Sequence, residues 1–507
     1  MIPKDSVLTE CHAAIPAWDS ISPVMQKVMA RQMEVYVGFK EHTDHHVGRL
    51  VDGLKDLGIL DDTLIYVILG DNGASAEGSL LGCFNEMAPL TGFSALETPE
   101  FLTERLDKFG GPDAYNHYAV GWAHAMNTPY QWTKQVASHF GGTRNGTIVH
   151  WPNGIKAKGE LRTQFHHVID IAPTLLEVAG LPQPVFVNGV PQRPIEGVSM
   201  AYSFDDATAG ERHETQYFEM SGNRGIYQKG WTAVTKHRTP WETGAVTLPP
   251  FDEDVWELYD TSTDWTQSKN LAKEMPEKLA ALQRRWLIEA VKYNVVPLDD
   301  RFAERANADL AGRPQLIKGN RQLLFGGMGR LTEGSIVNYK NKSPAITAEV
   351  DVPKTGAEGV IVAVGGNIGG WSLYVKAGKP IYCYNFYGVN RYVTLGTAEI
   401  PPGTHQVRME FKYDGGGLAK GGDVALFIDG KPAGTGRVEM TEPMIFSADE
   451  TLDIGDEYGS PVTPDYPKEK KFSGEVNWVE IDIGADAIDL DHLISPEERL
   501  KVAMAIQ

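Results

Sequence analysis

Eight consecutive residues, Thr63-Leu64-Ile65-Tyr66-Val67-Ile68-Leu69-Gly70, constrain this chain most. The run is apolar almost throughout and partly β-branched. That marks a strand buried on both faces of a parallel sheet, because a half-exposed strand alternates apolar with polar. Ahead of it, Met29, Met33, Tyr36 and Phe39, then Val47, Leu50, Val51 and Leu54, recur at three- and four-residue steps. Residues 21–58 are therefore predicted to form one long amphipathic helix or two, stopped at Gly58. Helix followed by buried strand is α/β grammar. A buried parallel strand needs neighbours on both sides, yet few others are legible in residues 1–300. Part of the sheet is expected to be absent, leaving unpaired backbone and bare apolar faces.

Further along, residues 145–151 predict a short strand. Residues 166–180 predict a helix with Pro173 near its start and Gly180 at its end. The stretch between the first strand and residue 140 is irregular, and a loop that long is functional or disordered. Residues 215–260 alternate as an antiparallel strand group, and 275–295 form an amphipathic helix. From about 343 the grammar changes. Short alternating strands recur at Ala345–Val352, Gly359–Val364, Trp371–Val375, Ile381–Phe386, Arg391–Thr394, His405–Tyr413, Val424–Ile428 and Glu475–Ile483, separated by glycine-rich turns. That spacing predicts an all-β sandwich. The expected division is an α/β part at 1–210, a small antiparallel sheet with a helix at 211–296, a linker at 297–342, the sandwich at 343–486 and a tail at 487–507.

Composition excludes some partners. Against 47 Lys and Arg stand 67 Asp and Glu, a formal net charge of −20, so a nucleic-acid partner is not expected. No apolar stretch approaches the roughly 18–20 residues of a membrane span, so no membrane partner is expected either. Cys11, Cys83 and Cys383 are odd in number and far apart, and no disulfide framework or paired metal motif follows. The start shows no basic segment followed by an apolar run, and the expected location is cytoplasmic.

Two segments carry candidate chemistry. Asp71-Asn72-Gly73 directly follows the apolar run, and ligands in open α/β sheets bind at the carboxyl ends of strands. A carboxylate beside a carboxamide offers two hard oxygen ligands, suited to Ca²⁺ or Mg²⁺, though the tripeptide is also ordinary turn chemistry. Asn127–Lys134, followed by Gly141-Gly142-Thr143-Arg144-Asn145-Gly146, brings a lysine and an arginine to a glycine-rich approach that could hold an anion. As a plain loop, the same segment would carry two solvated cations.

Taken in order, these pieces resemble the sulfatases of the alkaline-phosphatase superfamily over most of residues 15–275. The helix Glu41–Val51, the strand Leu64–Gly70 with Asp71-Asn72-Gly73, the segments Asn127–Lys134 and Gly141–Pro152, and Trp256-Glu257-Leu258-Tyr259-Asp260 with Asn270-Leu271-Ala272 look like that family's blocks. The nearest resemblance is to large bacterial arylsulfatases with an added C-terminal β-sandwich of concanavalin-like type. The resemblance implies an incomplete α/β sulfatase domain followed by that sandwich. It implies Asp71 and Asn72 as the downstream calcium ligands and Lys134 as the residue that meets the sulfate group. Position on the same loop, not the resemblance, makes Arg144 an anion-binding candidate and gives His139 a structural or supporting role. It also implies a formylglycine nucleophile made from Cys-x-Pro-x-Arg. None of the three cysteines lies in such a motif, and the family's Asp-Asn-side metal pair has no upstream Asp-Asp counterpart here. The expectation is a sulfate-ester hydrolase whose nucleophile lies outside these residues, acting on a small aryl or similarly activated sulfate ester.

Two rival readings remain. The same residues suit a phosphonate or phosphodiester hydrolase of the superfamily. Alternatively, Trp371, Tyr374, Tyr382, Tyr384, Phe386, Tyr387 and Tyr392 could form a carbohydrate-stacking face on a non-catalytic sandwich, although inward core packing is the plainer reading, with only one face of an alternating strand able to be core. His42, His45 and His46 share helical spacing, for which a polar outer face is the expected role.

Overall fold

The computed structural model describes residues 4, 6–70, 72–243, 247–466, 470–485, 487–488, 493–494, 497 and 504. The chain forms two compact units. The first comprises Met1–Cys83 and His117–Asp300, and the second Phe84–Asn116 and Arg301–Gln507. The irregular stretch after the first strand is thus shared. Part of it serves the second unit, which explains a length that sequence alone assigned to function or disorder. Most of the tail expected at 487–507 lies outside the described residues. No described helix is long and apolar enough to cross a membrane.

In the first unit a helix α1 spans Pro23–Asp56. The Ser22 side chain accepts the Met25 N–H, and Pro23 occupies the first turn, where its missing N–H costs nothing. Gly58 follows at φ +70°. Only Met25, Val28, Met29 and Gln32 are buried, and further along Phe39 is 68% exposed. The apolar run yields a strand β1, Ile65–Ile68, which pairs antiparallel with β2, Thr147–His150. Here the expectation of a parallel strand buried on both faces fails. Among the described residues β1 pairs with β2 alone, so Leu69 stays 61% and Ile148 56% exposed. The expectation of bare apolar faces holds at this sheet.

The helix expected at 166–180 begins as a 3-10 turn, Val168–Asp170, and continues as Ile171–Val178, with Gly180 at φ +66°. Asp170 anchors it. Its fully buried carboxylate accepts hydrogen bonds from His213 Nδ1 at 2.8 Å, the Val198 N–H at 2.7 Å and the His167 N–H at 2.9 Å. Downstream, Thr215–Met220, Asn223–Gln228, Trp231–Thr235 and Trp256–Asp260 form a four-stranded antiparallel sheet in chain order. The helix Pro276–Lys292 packs on it through Leu282, Trp286 and Ala290 against Ile226, Ala233 and Leu258.

The second unit is the expected sandwich. Its six-stranded sheet runs Lys431–Val438, Gly422–Ile428, Gly403–Tyr413, Ala345–Val352, Glu475–Asp482, Arg321–Phe325, and its five-stranded sheet runs Asn390–Leu395, Lys379–Phe386, Gly369–Lys376, Gly359–Gly366, Leu452–Ile454. Arg321–Phe325 lies inside the stretch expected to be linker, where its pairing with Glu475–Asp482 makes it an edge strand. Ile346, Ala348, Val350, Trp371, Leu373, Tyr382, Tyr384 and Phe386 fill the core. Tyr374, Ile381 and Cys383 point to the other face, where Val462 and Tyr466 pack on them. Both faces of that strand pair are therefore buried, against the expectation of a single core face. Of the seven aromatics, Tyr392 alone is not buried, so they offer no carbohydrate-stacking face. The void beside Tyr339, Trp371, Tyr382 and Tyr384 is about 30 Å³, room for a water or two and too small for a sugar.

Burial opposes ionisation of Asp170, but the His166 imidazole 3.9 Å away and hydrogen bonds from His213, Val198 and His167 outweigh it and hold the carboxyl far below its usual range. A depressed carboxyl stabilises the fold above its unfolded value of about 3.9, and that stabilisation is lost as pH falls through the folded value. Asp170→Ala is expected to cost about 3 kcal/mol at pH 7 in denaturant unfolding, with the deficit shrinking below about pH 4.

Candidate functional site: a lysine loop held against the turn after β1

Beyond β1 the chain turns at Gly70, φ +93°. Asp71 lies outside the described residues; Asn72 is half-buried and Gly73 buried. A Cβ at Gly73 would stand 1.5 Å from the Gly141 carbonyl oxygen, so no larger residue fits there. Asn127 joins the three segments. Its Oδ1 accepts the Ala74 N–H at 3.0 Å, and its Nδ2 donates to the Trp132 carbonyl at 3.0 Å and the Gly141 carbonyl at 2.9 Å. The Lys134 N–H in turn donates to the Ala74 carbonyl at 3.1 Å. The turn after β1, the Lys134 loop and the Gly141 segment, separate in sequence, thus meet.

Lys134 is flanked by two left-handed residues, Trp132 at φ +67° and Gln135 at φ +77°. Each costs about 1–2 kcal/mol for a residue with a Cβ. Such strain persists where the surroundings over-determine it, and it clusters at functional sites. Here each strained residue has its carbonyl held by an asparagine: Trp132 by Asn127, and Gln135 by Asn223 Nδ2 at 2.9 Å.

The Lys134 ammonium contacts both oxygens of Glu77, at 2.8 and 2.9 Å. Glu77 also accepts from Ser75 Oγ at 2.5 Å and Gln135 Nε2 at 3.3 Å. Burial raises the Glu77 carboxyl, but hydrogen bonds from Lys134 and Ser75 prevail and hold it below its ordinary value. Sequence reasoning missed Glu77, since a lone acid six residues after Asp71 carries no periodic or motif signal.

His139 is fully buried, with Nε2 3.2 Å from Glu257 Oε2 and Nδ1 2.9 Å from Ser138 Oγ. The Tyr259 hydroxyl also donates to Glu257 Oε2. Glu257 and Tyr259 share one face of their strand, and Leu258 between them enters the core. The Glu-Leu-Tyr-Asp segment thus pins His139. Burial raises the Glu257 carboxyl, yet hydrogen bonds from His139 and Tyr259 hold it lowered. Arg144 is exposed, its guanidinium lying 5.0 Å from the Phe140 ring centre, 5.7 Å from Tyr130 and 6.0 Å from Trp265. It rests on aromatic faces instead of joining Lys134. His42, His45 and His46 lie on the exposed outer face of α1, with His42 and His46 3.1 Å apart.

A calcium ion takes about six to eight oxygen ligands. Among the described residues no group of three or more His, Cys, Asp or Glu could hold a metal ion, and the nearby carboxylate Glu77 is committed to Lys134. The described residues do not by themselves fit a calcium ion. One polar atom at the turn lacks a partner: Asn145 Nδ2 is buried without a hydrogen bond, and the other amide atom of Asn145 lies 3.9 Å from the Cβ position of Gly70.

Fold and site together define an α/β unit with a fixed cation at the carboxyl end of a strand, in one chain with an antiparallel sandwich. Residues 8–181 match the family model described as Sulfatase, and residues 139–289 match N-sulphoglucosamine sulphohydrolase, C-terminal. An uncharacterized sulfatase of Schizosaccharomyces pombe is 29% identical over 299 residues, 56% of this chain and 48% of that protein. The arylsulfatase of Klebsiella aerogenes is 31% identical over 187 residues, 36% of this chain and 37% of that protein. A solved Bacteroides thetaiotaomicron structure from a glycosaminoglycan-metabolism locus is 18% identical with a TM-score of 0.31, covering 50% of this chain and 43% of that one. Over residues 8–289 the chain is similar to the sulfatase family. It spans under half the length of each of these curated relatives.

Replacing Glu77 by Gln keeps the shape and removes the charge. The variant is expected to unfold about 1 kcal/mol more easily at pH 7. Glu77 is depressed, so its stabilisation is present above about pH 4.5 and lost as pH falls through the folded value. The melting temperatures of the two proteins should therefore converge in acid.

Proposed function

We propose that this chain forms part of a sulfate-ester hydrolase and that Lys134 is the cation that meets the sulfate group. One observation carries the reading: the Lys134 ammonium sits on a strained loop fixed to the turn after β1, balanced by the single carboxylate of Glu77. A sulfate group arriving there exchanges one anion for another at a preorganised cation, and the same charge then steadies the leaving oxygen. His139, held by Glu257 and Ser138, fixes the loop from beneath.

The nucleophile comes from elsewhere. Cys83 and Cys383 are buried, and Cys11 is followed by His-Ala-Ala-Ile, so residues 1–507 contain no Cys-x-Pro-x-Arg. A formylglycine and the remaining calcium ligands must be supplied by residues that this sequence does not contain. The edge of β1 that has no partner among the described residues, with its exposed apolar face, supports that reading.

Two measurements test it. Purified chain with 4-nitrophenyl sulfate and Ca²⁺ should release nitrophenol no faster than buffer, and substantial turnover would sink the incomplete-site reading. Calorimetric titration with inorganic sulfate should show binding that weakens about tenfold or more in Lys134→Ala. Unchanged affinity in that variant would remove Lys134 from the anion site.

A further inference from the structure

From Val37 to Leu50 every residue of α1 is exposed. Helical turns that no packing covers are marginal in water and depend on contacts along their own face. Side chains four residues apart meet on such a face. His42 and His46 are one such pair: their Nε2 atoms stand 3.1 Å apart and their ring centres 4.4 Å. The Arg49 guanidinium donates to His46 Nδ1 at 3.0 Å.

These contacts order the protons of the neutral pair. Arginine only donates, so His46 Nδ1 accepts and the His46 proton sits on Nε2. That proton is given to the Nε2 lone pair of His42, whose own proton is then on Nδ1. Two ring nitrogens thus converge on a single proton at the protein surface.

A metal ion fits where that proton lies. Imidazole nitrogen binds zinc at about 2.0–2.1 Å, and at that length two nitrogens 3.1 Å apart subtend roughly 95–100° at the ion. The angle falls between the right angle of a square-planar or octahedral ion and the wider tetrahedral angle of zinc. Neutral imidazole suits zinc, nickel and copper(II), whereas calcium and magnesium demand oxygen. Among the described residues no group of three or more His, Cys, Asp or Glu could hold a metal, so water completes the shell. His45 stands edge-on to the His46 ring with centres 5.3 Å apart, outside the contact between the two Nε2 atoms.

We propose that His42 and His46 form a two-imidazole site for a divalent transition-metal ion, which staples one turn of α1. Binding shifts the His46 proton from Nε2 to Nδ1, with no net proton released, and so displaces the Arg49 donor from Nδ1. Arg49 is therefore a competitor of the metal. The site is independent of Lys134 and of the sulfate reading.

Zinc chloride is the probe, titrated into the full chain by calorimetry with amide hydrogen exchange followed along α1. Zinc should bind, and exchange across residues 42–50 should slow about threefold or more. His42→Ala and His46→Ala should each weaken zinc about tenfold or more and remove the slowing. Both positions are exposed and alanine favours helix, so these variants should melt normally. His45→Ala should bind zinc as the parent does, and Arg49→Ala should bind it about twofold or more tighter. Copper(II) should show two nitrogen donors by electron paramagnetic resonance, and calcium at the same concentration should not compete. Absence of zinc binding, binding unchanged in either His42→Ala or His46→Ala, or unaltered exchange at residues 42–50 would overturn the site. Loss of affinity in His45→Ala equal to that in His42→Ala, or weaker binding in Arg49→Ala, would overturn the assignment of ligands and competitor.

Discussion

The close approach of Gly73 to Gly141, bridged by the Asn127 carboxamide, is the constraint on which the rest of the first unit's site depends. A carboxamide can donate and accept at once, so one side chain satisfies the Ala74 N–H and two carbonyls from different segments. A carboxylate could only accept, and would leave the Trp132 and Gly141 carbonyls without a donor. The glycines supply the room and Asn127 supplies the direction. With those contacts fixed, the loop carrying Lys134 has little choice of path, which is why Trp132 and Gln135 tolerate left-handed backbone on either side of it.

The electrostatics follow from that placement. The chain carries a net charge of −20, yet the site is arranged as local pairs: Lys134 with Glu77, His139 with Glu257, Arg144 on its aromatic faces. An anion therefore does not fall into a strong positive field. On the proposed reading it would compete with Glu77, and what it would gain is the difference between two ion pairs. Part-exposed pairs are worth little in water, so such an exchange is close to balanced and can run in either direction. Reversible exchange suits a group that must be bound and then released.

Sequence and structure agree where the signal was local. The helix stopped by Gly58, the strand group at 215–260 and the sandwich strands are each specified by periodicity and turn residues. They part where partners decide. The run at 64–69 shows a strand, but nothing in it says that Thr147–His150 pairs antiparallel. Alternation at Ile381–Phe386 looks like one buried face, because the cover on the other, Val462 and Tyr466, lies some eighty residues on. Arg321–Phe325 became legible as a strand only through its partner Glu475–Asp482. At the site, Asn72 and Lys134 stood out by their motif context. Glu77 and Asn127 did not, since their roles arise from contacts that no spacing rule encodes.

His117 shows why such contacts matter to the chemistry. The chain leaves the first unit at Cys83 and re-enters at His117, and those two residues exchange hydrogen bonds at 3.0 and 3.1 Å. The exit and the return are thereby stitched together. A Cβ at Gly78 would stand 2.8 Å from His117 Nδ1, so that imidazole lies directly against the loop that carries Glu77. Burial lowers His117, while its hydrogen bond to the Tyr118 carbonyl and the charge of Glu77 act to raise it. The net lowering keeps His117 neutral at pH 7, so Glu77 meets one full positive charge, that of Lys134, and not two. A protonated imidazole here would compete with Lys134 for the same carboxylate and loosen the lysine's restraint. Keeping the re-entry histidine neutral preserves the one-to-one pairing of Lys134 with Glu77.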